Sequence, residues 1–350
     1  MIKVLIVDDS KLVQSLIAEI VNSVPDMTVV GTADDPYDAR EKIKALNPDV
    51  LTLDVEMPKM DGVTFLKNLM RLRPMPVIML STLTAEGAPI TLQALEIGAV
   101  DFLEKPKANL AQALPRYTAL LQDKIRAASV ARVRPFSEKK QEPSERLSSL
   151  AKNWQHLSFK ANHLVAIGAS TGGTEAIKEV VTKLPAHFPP VVITQHIPPV
   201  FSTTFANRLD LLSAMKVYEA EDGQKIEHGC IYLAPGDEHL KVVAKGSSLY
   251  CKLEHSEPVN RHRPSVDVMF DSLPDNIVKN CTAVILTGMG ADGAAGLKRL
   301  KDMGALTLTQ SESTCVVYGM PKAADDMGAS TKSVALDKMT QALVQAAVKK

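Results

Sequence analysis

The chain has 350 residues, 45% of them hydrophobic, enough length and apolar content for two domains with separate cores. Lys plus Arg and Asp plus Glu number 40 each, so no net field draws the chain to nucleic acid or to an anionic membrane. No apolar run approaches a membrane span, Asp8 and Asp9 come too early for a signal peptide, and four scattered cysteines lack metal-type spacing, so a cytoplasmic protein with reduced thiols is expected.

Strand and helix signals alternate from the start. Residues 4–7 are a continuous apolar run, as a strand buried on both faces of a parallel sheet should be. Leu12, Leu16, Ile17 and Ile20 follow at helical spacing. Strands are predicted at 28–31, 50–53, 77–80 and 101–104, with a helix over 39–46. This alternation predicts a five-stranded, doubly wound sheet over residues 1–125. Asp8, Asp9, Asp54, Ser81 and Lys105 then fall at the carboxyl ends of strands, which right-handed crossovers bring to one edge. Singly, each has an ordinary reading as a turn former or helix cap. Together, three carboxylates converging on one point call for a hard cation such as Mg²⁺. An Asp carboxylate there can accept a phosphoryl group, and a lysine and a hydroxyl can hold its oxygens.

On these residues the segment resembles a response-regulator receiver domain. The resemblance implies that Asp54 is the phospho-acceptor, Asp8 and Asp9 the acidic pair that with Asp54 holds Mg²⁺, and Ser81, Phe102 and Lys105 the phosphoryl switch. Met57-Pro58 and Asp61-Gly62 match the loop that follows the acceptor.

Residues 126–160 crowd charges with Pro135 and Pro143 and lack apolar periodicity, which reads as a flexible linker. From 161 to 350 parallel-strand signals return, at 164–167, 191–194, 231–234 and 283–286. The first runs into Gly168-Ala169-Ser170-Thr171-Gly172-Gly173 and then a helical pattern, so Ser170 stands in a strand–turn–helix corner. Helix-opening N–H groups favour negative charge developing there. Alone, this glycine-rich string could equally be a turn or a dinucleotide loop. His196 follows the second strand and Asp292 the fourth, so all three sit beyond carboxyl ends of one sheet, as a nucleophile, base and orienter would. The order Ser, His, Asp differs from that of the familiar G-x-S-x-G hydrolases, so another scaffold is expected. Thr171 and the Gly288-Met289-Gly290 loop could supply oxyanion donors. His262, inside Arg261-His262-Arg263, is the rival base, and that loop, Arg263 included, should rim the substrate site. His228, His239 and His255 fall in expected turns.

Several motifs in order, among them Tyr232-Leu233-Ala234-Pro235-Gly236, Arg263-Pro264-Ser265-Val266-Asp267, Thr287-Gly288-Met289-Gly290-Ala291-Asp292-Gly293 and Gly319-Met320-Pro321, resemble the chemotaxis protein-glutamate methylesterases. With the receiver in front, the likeness spans essentially the whole chain. It implies an α/β, Rossmann-like esterase domain with Ser170, His196 and Asp292 as its triad, needing no cofactor for ester hydrolysis. It implies demethylation, and deamidation, of side chains on the cytoplasmic helices of chemoreceptors, so the protein would be peripheral to membrane receptors and not inserted. A histidine kinase would supply the phosphoryl group, and the unphosphorylated receiver would cover the substrate groove. Two rivals remain: a nucleotide-binding oxidoreductase, which needs an acid where the second strand instead ends Thr194-Gln195-His196, and a regulator whose second domain only binds protein.

Overall fold

Apolar runs without a polar alternation become strands covered on both faces. In the computed structural model, which describes residues 1–81, 87–105, 114–136, 154 and 156–349, the chain divides into two units, Met1–Glu138 and Lys139–Lys350. Of the linker expected over 126–160, residues 137–153 and 155 lie outside the described residues, as does Pro106.

The N-terminal unit alternates β1 (Ile2–Val7), α1 (Lys11–Asn22), β2 (Met27–Ala33), α2 (Pro36–Leu46), β3 (Val50–Asp54), α3 (Gly62–Leu72), β4 (Val77–Ser81), α4 (Gly87–Ile97), β5 (Asp101–Glu104) and α5 (Leu114–Ser129). All strand pairs are parallel, in the order β2-β1-β3-β4-β5. Val4 to Val7, Leu51 and Leu53, and Val77 to Leu80 are fully enclosed, so β1, β3 and β4 form the centre. Helix α2 starts three residues before the apolar pattern because Asp35 accepts from the N–H groups of Tyr37 and Asp38, and Pro36 fits the first helical position. Helix α5 runs on to Ser129, past the expected domain edge at 125.

The C-terminal unit holds a seven-stranded sheet, all pairs parallel. Its chain order is β6 (Leu164–Ala169), α6 (Gly173–Val181), β7 (Val191–Gln195), α7 (Pro199–Leu212), β8 (Lys216–Glu219), β9 (Lys225–Ile226), β10 (Cys230–Leu233), β11 (His239–Lys245), β12 (Ser248–Glu254), α8 (Val266–Asp271), α9 (Asp275–Val278), β13 (Cys281–Ile285), α10 (Ala294–Asp302), β14 (Leu306–Gln310), α11 (Met320–Asp326), β15 (Lys332–Val334) and α12 (Leu336–Ala347). The spatial order is β15-β14-β13-β6-β7-β10-β8. Four of these strands were expected; β8, β14 and β15 extend the sheet. Strands β11, β12 and β9 form a separate antiparallel sheet, so His239 begins a strand and is buried rather than lying in a turn.

Strand order reverses at β6. One run of the chain proceeds from β6 to β7, and the other returns to its opposite side as β13 and moves outward to β14 and β15. Open parallel sheets bind ligands at such a reversal, beyond the carboxyl ends of the strands. Below the sheet, Val266, Met269 and Phe270 of α8 have no exposed surface, and each contributes about 1.5–3 kcal/mol by burial. That packing fixes where the first turn of α8 points. The terminal α12 likewise buries Met339, Leu343 and Val344 in this unit's own core.

Candidate active site

Ser170 follows β6 at the reversal. Gly172, at φ +75, turns the chain into α6, a conformation in which a side chain would be strained. The corner is held on all sides: Ser170 N–H donates to Thr287 O (3.0 Å), and its carbonyl accepts from Gly173 N–H (2.7 Å) and Gln195 Nε2 (2.9 Å). Gly288 lies directly against it, since a Cβ there would stand 2.8 Å from the Ser170 Cβ. Gly288 thus brings the start of the Gly288-Met289-Gly290 loop, read from the sequence as a source of oxyanion donors, against the serine.

His196 comes from the end of β7, where its N–H bonds Ala169 O (3.2 Å). Its Nδ1 lies 3.1 Å from Ser170 Oγ, and its Nε2 lies 2.8 Å from Asp292 Oδ2. The neutral ring that donates from Nε2 to the carboxylate leaves Nδ1 as the acceptor for the serine proton.

Asp292 stands at the opening of α8. Its Oδ2 accepts from Val266 N–H (2.7 Å), and its Oδ1 accepts from Asp267 N–H (3.3 Å), Ser265 Oγ (2.7 Å) and Asn260 Nδ2 (2.7 Å). Burial pushes this carboxyl up, but the bond and charge of His196, then Asn260 and the Val266 amide, outweigh it and hold it far below the usual carboxylate range. Asp292 is an ionised acceptor with its lone pairs filled.

The sequence reading placed the 261–263 loop at the rim of the site but missed the bonds that Asn260, Ser265 and Asp267 make behind Asp292. Asn260 and Arg261 both have positive φ, between paired Val259 and His262, which is the geometry of a tight hairpin turn that Asn tolerates. Asn260 Nδ2 bridges Asp292 and Asp267 (2.7 Å to each), and Asp267 also accepts from Gly296 N–H. Burial and the neighbouring Asp292 keep the Asp267 carboxyl above its ordinary value. His239 Nδ1 accepts from Ser265 N–H (3.1 Å). His262 is no rival to His196: it stacks on it, ring centroids 3.7 Å apart and 8° from parallel. Ring lone pairs lie in the ring plane, so two imidazoles stacked this way cannot converge on one metal ion, although His196, His262 and Asp292 are clustered. Arg263 is engaged elsewhere, with Asp237 Oδ1 (2.7 Å) and Ser256 O (2.6 Å), and it braces the loop.

In the N-terminal unit, Asp8, Asp9 and Asp54 place carboxylate oxygens within 4.8 Å of one another. Lys105 Nζ pairs with Asp54 Oδ2 (2.7 Å) and Asp8 Oδ2 (3.0 Å). Burial raises Asp54 to about 6; Lys105 opposes this, and Asp8 adds to it. Ser81 Oγ accepts from Thr91 Oγ1 (2.9 Å), and Phe102 is turned inward, 6% exposed.

Comparisons with known proteins match both units. The model of the CheB methylesterase family matches residues 165–343, and that of the response regulator receiver domain matches residues 4–114. A protein-glutamate methylesterase/protein-glutamine glutaminase of Saccharophagus degradans is 52% identical over 348 residues, 99% of each chain. One from Cupriavidus pinatubonensis is 53% identical over 341 residues, covering 97% of this chain and 94% of its own. Among solved structures, the Thermotoga maritima CheB methylesterase catalytic domain aligns at TM-score 0.51 and 38% identity, over 52% of this chain and 97% of that one. The two family models and the full-length relatives together show that the chain belongs to the CheB methylesterase family, with an N-terminal receiver domain.

Proposed function

We propose that this protein hydrolyses γ-glutamyl methyl esters on the cytoplasmic helices of chemoreceptors and deamidates glutamines there, under control of phosphorylation at Asp54. The unbroken Ser170–His196–Asp292 hydrogen-bond chain carries this reading. Ser170 Oγ attacks the ester carbonyl carbon while His196 Nδ1 takes its proton. Asp292 keeps the proton of the neutral ring on Nε2 and stabilises the imidazolium that forms. The tetrahedral oxyanion is met by the Met289 N–H, whose loop lies against Ser170, with Thr171 and Gly290 beside it. His196 then returns its proton to the departing methoxide, or to the departing amide nitrogen of a glutamine, and methanol or ammonia leaves. Water, deprotonated by His196, cleaves the acyl-enzyme to give glutamate and restore Ser170.

In the receiver, the three clustered carboxylates offer the hard oxygen donors that Mg²⁺ selects, and they fit it. Bound there, Mg²⁺ supplies charge neutralisation for phosphoryl transfer. Asp54 attacks phosphorus on the phosphohistidine of a histidine kinase, and the histidine is released. Lys105 and Ser81 then hold the new phosphoryl oxygens, with Phe102 packing behind them. Among the described residues no helix is long and apolar enough to cross a membrane, which supports a protein that meets receptors from the cytoplasm.

A serine-directed fluorophosphonate followed by peptide mapping tests the hydrolase. The label is expected on Ser170 and lost in His196→Gln. No label, or a label on another serine, would contradict the triad.

A further inference from the structure

The same seven-stranded sheet has a second concave site at its other edge. A cavity of about 320 Å³ opens at the amino ends of β6, β13 and β14, bounded by the last turn of α12. That volume lies at the lower end of the range of small-molecule sites. His163, Lys160, Lys279 and Thr282 line it together with Gln345, and its lining contains no acidic side chain.

His163 is 4% exposed. Its Nε2 lies 3.2 Å from Thr282 Oγ1, while its Nδ1 is buried without a hydrogen-bond partner. Burial, then Lys160 and His228, pull the ring down to about 4, so it is neutral at pH 7. A neutral ring that accepts the Thr282 hydroxyl at Nε2 carries its proton on Nδ1. That is a buried donor needing an acceptor, and leaving it unmet costs about 1–3 kcal/mol.

The two lysines divide the work. Lys160 Nζ donates to Ala346 O (2.8 Å) and its backbone N–H to Ala347 O (2.9 Å), which satisfies the carbonyl end of α12 and offsets its negative pole. Lys279, in the turn before β13, is exposed; its backbone N–H bonds Ile277 O, and its ammonium makes no ion pair or hydrogen bond among the described residues. An exposed ammonium, a neutral buried N–H and a carboxamide around one acid-free hollow are complementary to a tetrahedral oxyanion with several acceptor oxygens. From this juxtaposition we infer that the C-terminal unit binds the phosphate group of a small phosphorylated molecule at the amino edge of its sheet, through His163 and Lys279. Nothing in the ester-hydrolysing machinery at the opposite edge uses these residues.

The test is calorimetric titration of the full chain with inorganic phosphate. It is run in an Asp54→Asn background with a metal chelator, so that the receiver's acidic cluster does not contribute. Lys279→Glu, at an exposed position, keeps the fold intact, and unchanged basal methyl-ester hydrolysis checks this. It is expected to weaken phosphate by about tenfold or more, the loss of one charge-assisted hydrogen bond. His163→Asn is expected to weaken it as well, and the ring ¹⁵N signals of His163 in the wild-type sequence should shift during the titration. Phosphate that fails to bind, binds Lys279→Glu equally well, or leaves the His163 signals unmoved would overturn the site. Acetate binding as tightly as phosphate would overturn the assignment to phosphate.

Discussion

Asp54 and Asp292 both stand at the carboxyl edge of a parallel sheet, and both are nearly sealed from solvent, yet their surroundings push them in opposite directions. Asp292 accepts from two backbone N–H groups at the start of α8, an amide, a hydroxyl and His196, and its charge is held well below the carboxylate range. Asp54 has one cation, shared with Asp8, and one backbone N–H, from Glu56 at 3.2 Å, and burial lifts it to about 6. The first is saturated, so it stays an anion, as the proposed orienter of a base must. The second is left under-satisfied, which suits the proposed phospho-acceptor, a group that would gain a phosphoryl and a metal ion as new partners. The fold brings carboxylates to an edge, and the donors around them decide their chemistry.

Substitutions that erase this difference should have the largest effects. Ser170→Ala and Asp292→Asn are each expected to slow ester hydrolysis by roughly 10³–10⁴-fold, read as methanol release at neutral pH. Asp292→Asn should also loosen the unit, because an amide group would point donors at donors. For the wild type the sign is fixed by a depressed carboxyl. Its contribution to stability is present above the unfolded carboxylate range and is lost as pH falls through the native value. Asn260→Ala removes one of the four bonds that accompany His196 on Asp292, so a drop of roughly tenfold in kcat with KM little changed is expected. An equal loss in KM would mean that Asn260 touches substrate instead.

Asp54→Asn should act with the opposite sign. Asp54 titrates near 6 in the folded state against a reference of 3.8, so its ionisation burdens the native state as pH rises through 6 and not below about 4. Without Mg²⁺ the amide is therefore expected to stabilise the receiver by roughly 1–3 kcal/mol at pH 8 and by nothing at pH 4, read from hydrogen exchange of the β3 amides. A loss at pH 8 would mean that the Lys105 pair outweighs burial. The smallest effect is at Asp9, which is exposed: Asp9→Asn should move stability by less than about 0.5 kcal/mol while weakening the Mg²⁺ dependence of phosphorylation.

The placement of candidate residues at strand ends could be read from the sequence. Asp8, Asp54, Ser81, Lys105, Ser170 and His196 each follow an apolar run, and topology alone gathers such ends. Strands with mixed patterns were less visible. In β14, Thr307 and Thr309 are wholly buried although Leu-Thr alternation suggests a half-exposed strand, and β8 is a short strand at the sheet edge. The loop behind Asp292 was the least legible. Asn260 acts through a positive-φ turn, and Ser265 and Asp267 through bonds made only once α8 is packed, so no periodicity announces them. Nor does a sequence report the sign of a carboxyl's shift, because donors reach it from several separate segments.

The most direct measurement is methanol release from methylated receptor membranes, with and without a small-molecule phosphodonor and Mg²⁺, for the wild type, Ser170→Ala and Asp54→Asn side by side. The expected result is release that the phosphodonor raises in the wild type, that Ser170→Ala abolishes, and that Asp54→Asn holds at its basal level. Release that survives Ser170→Ala, or that responds to the phosphodonor without Asp54, would contradict the account.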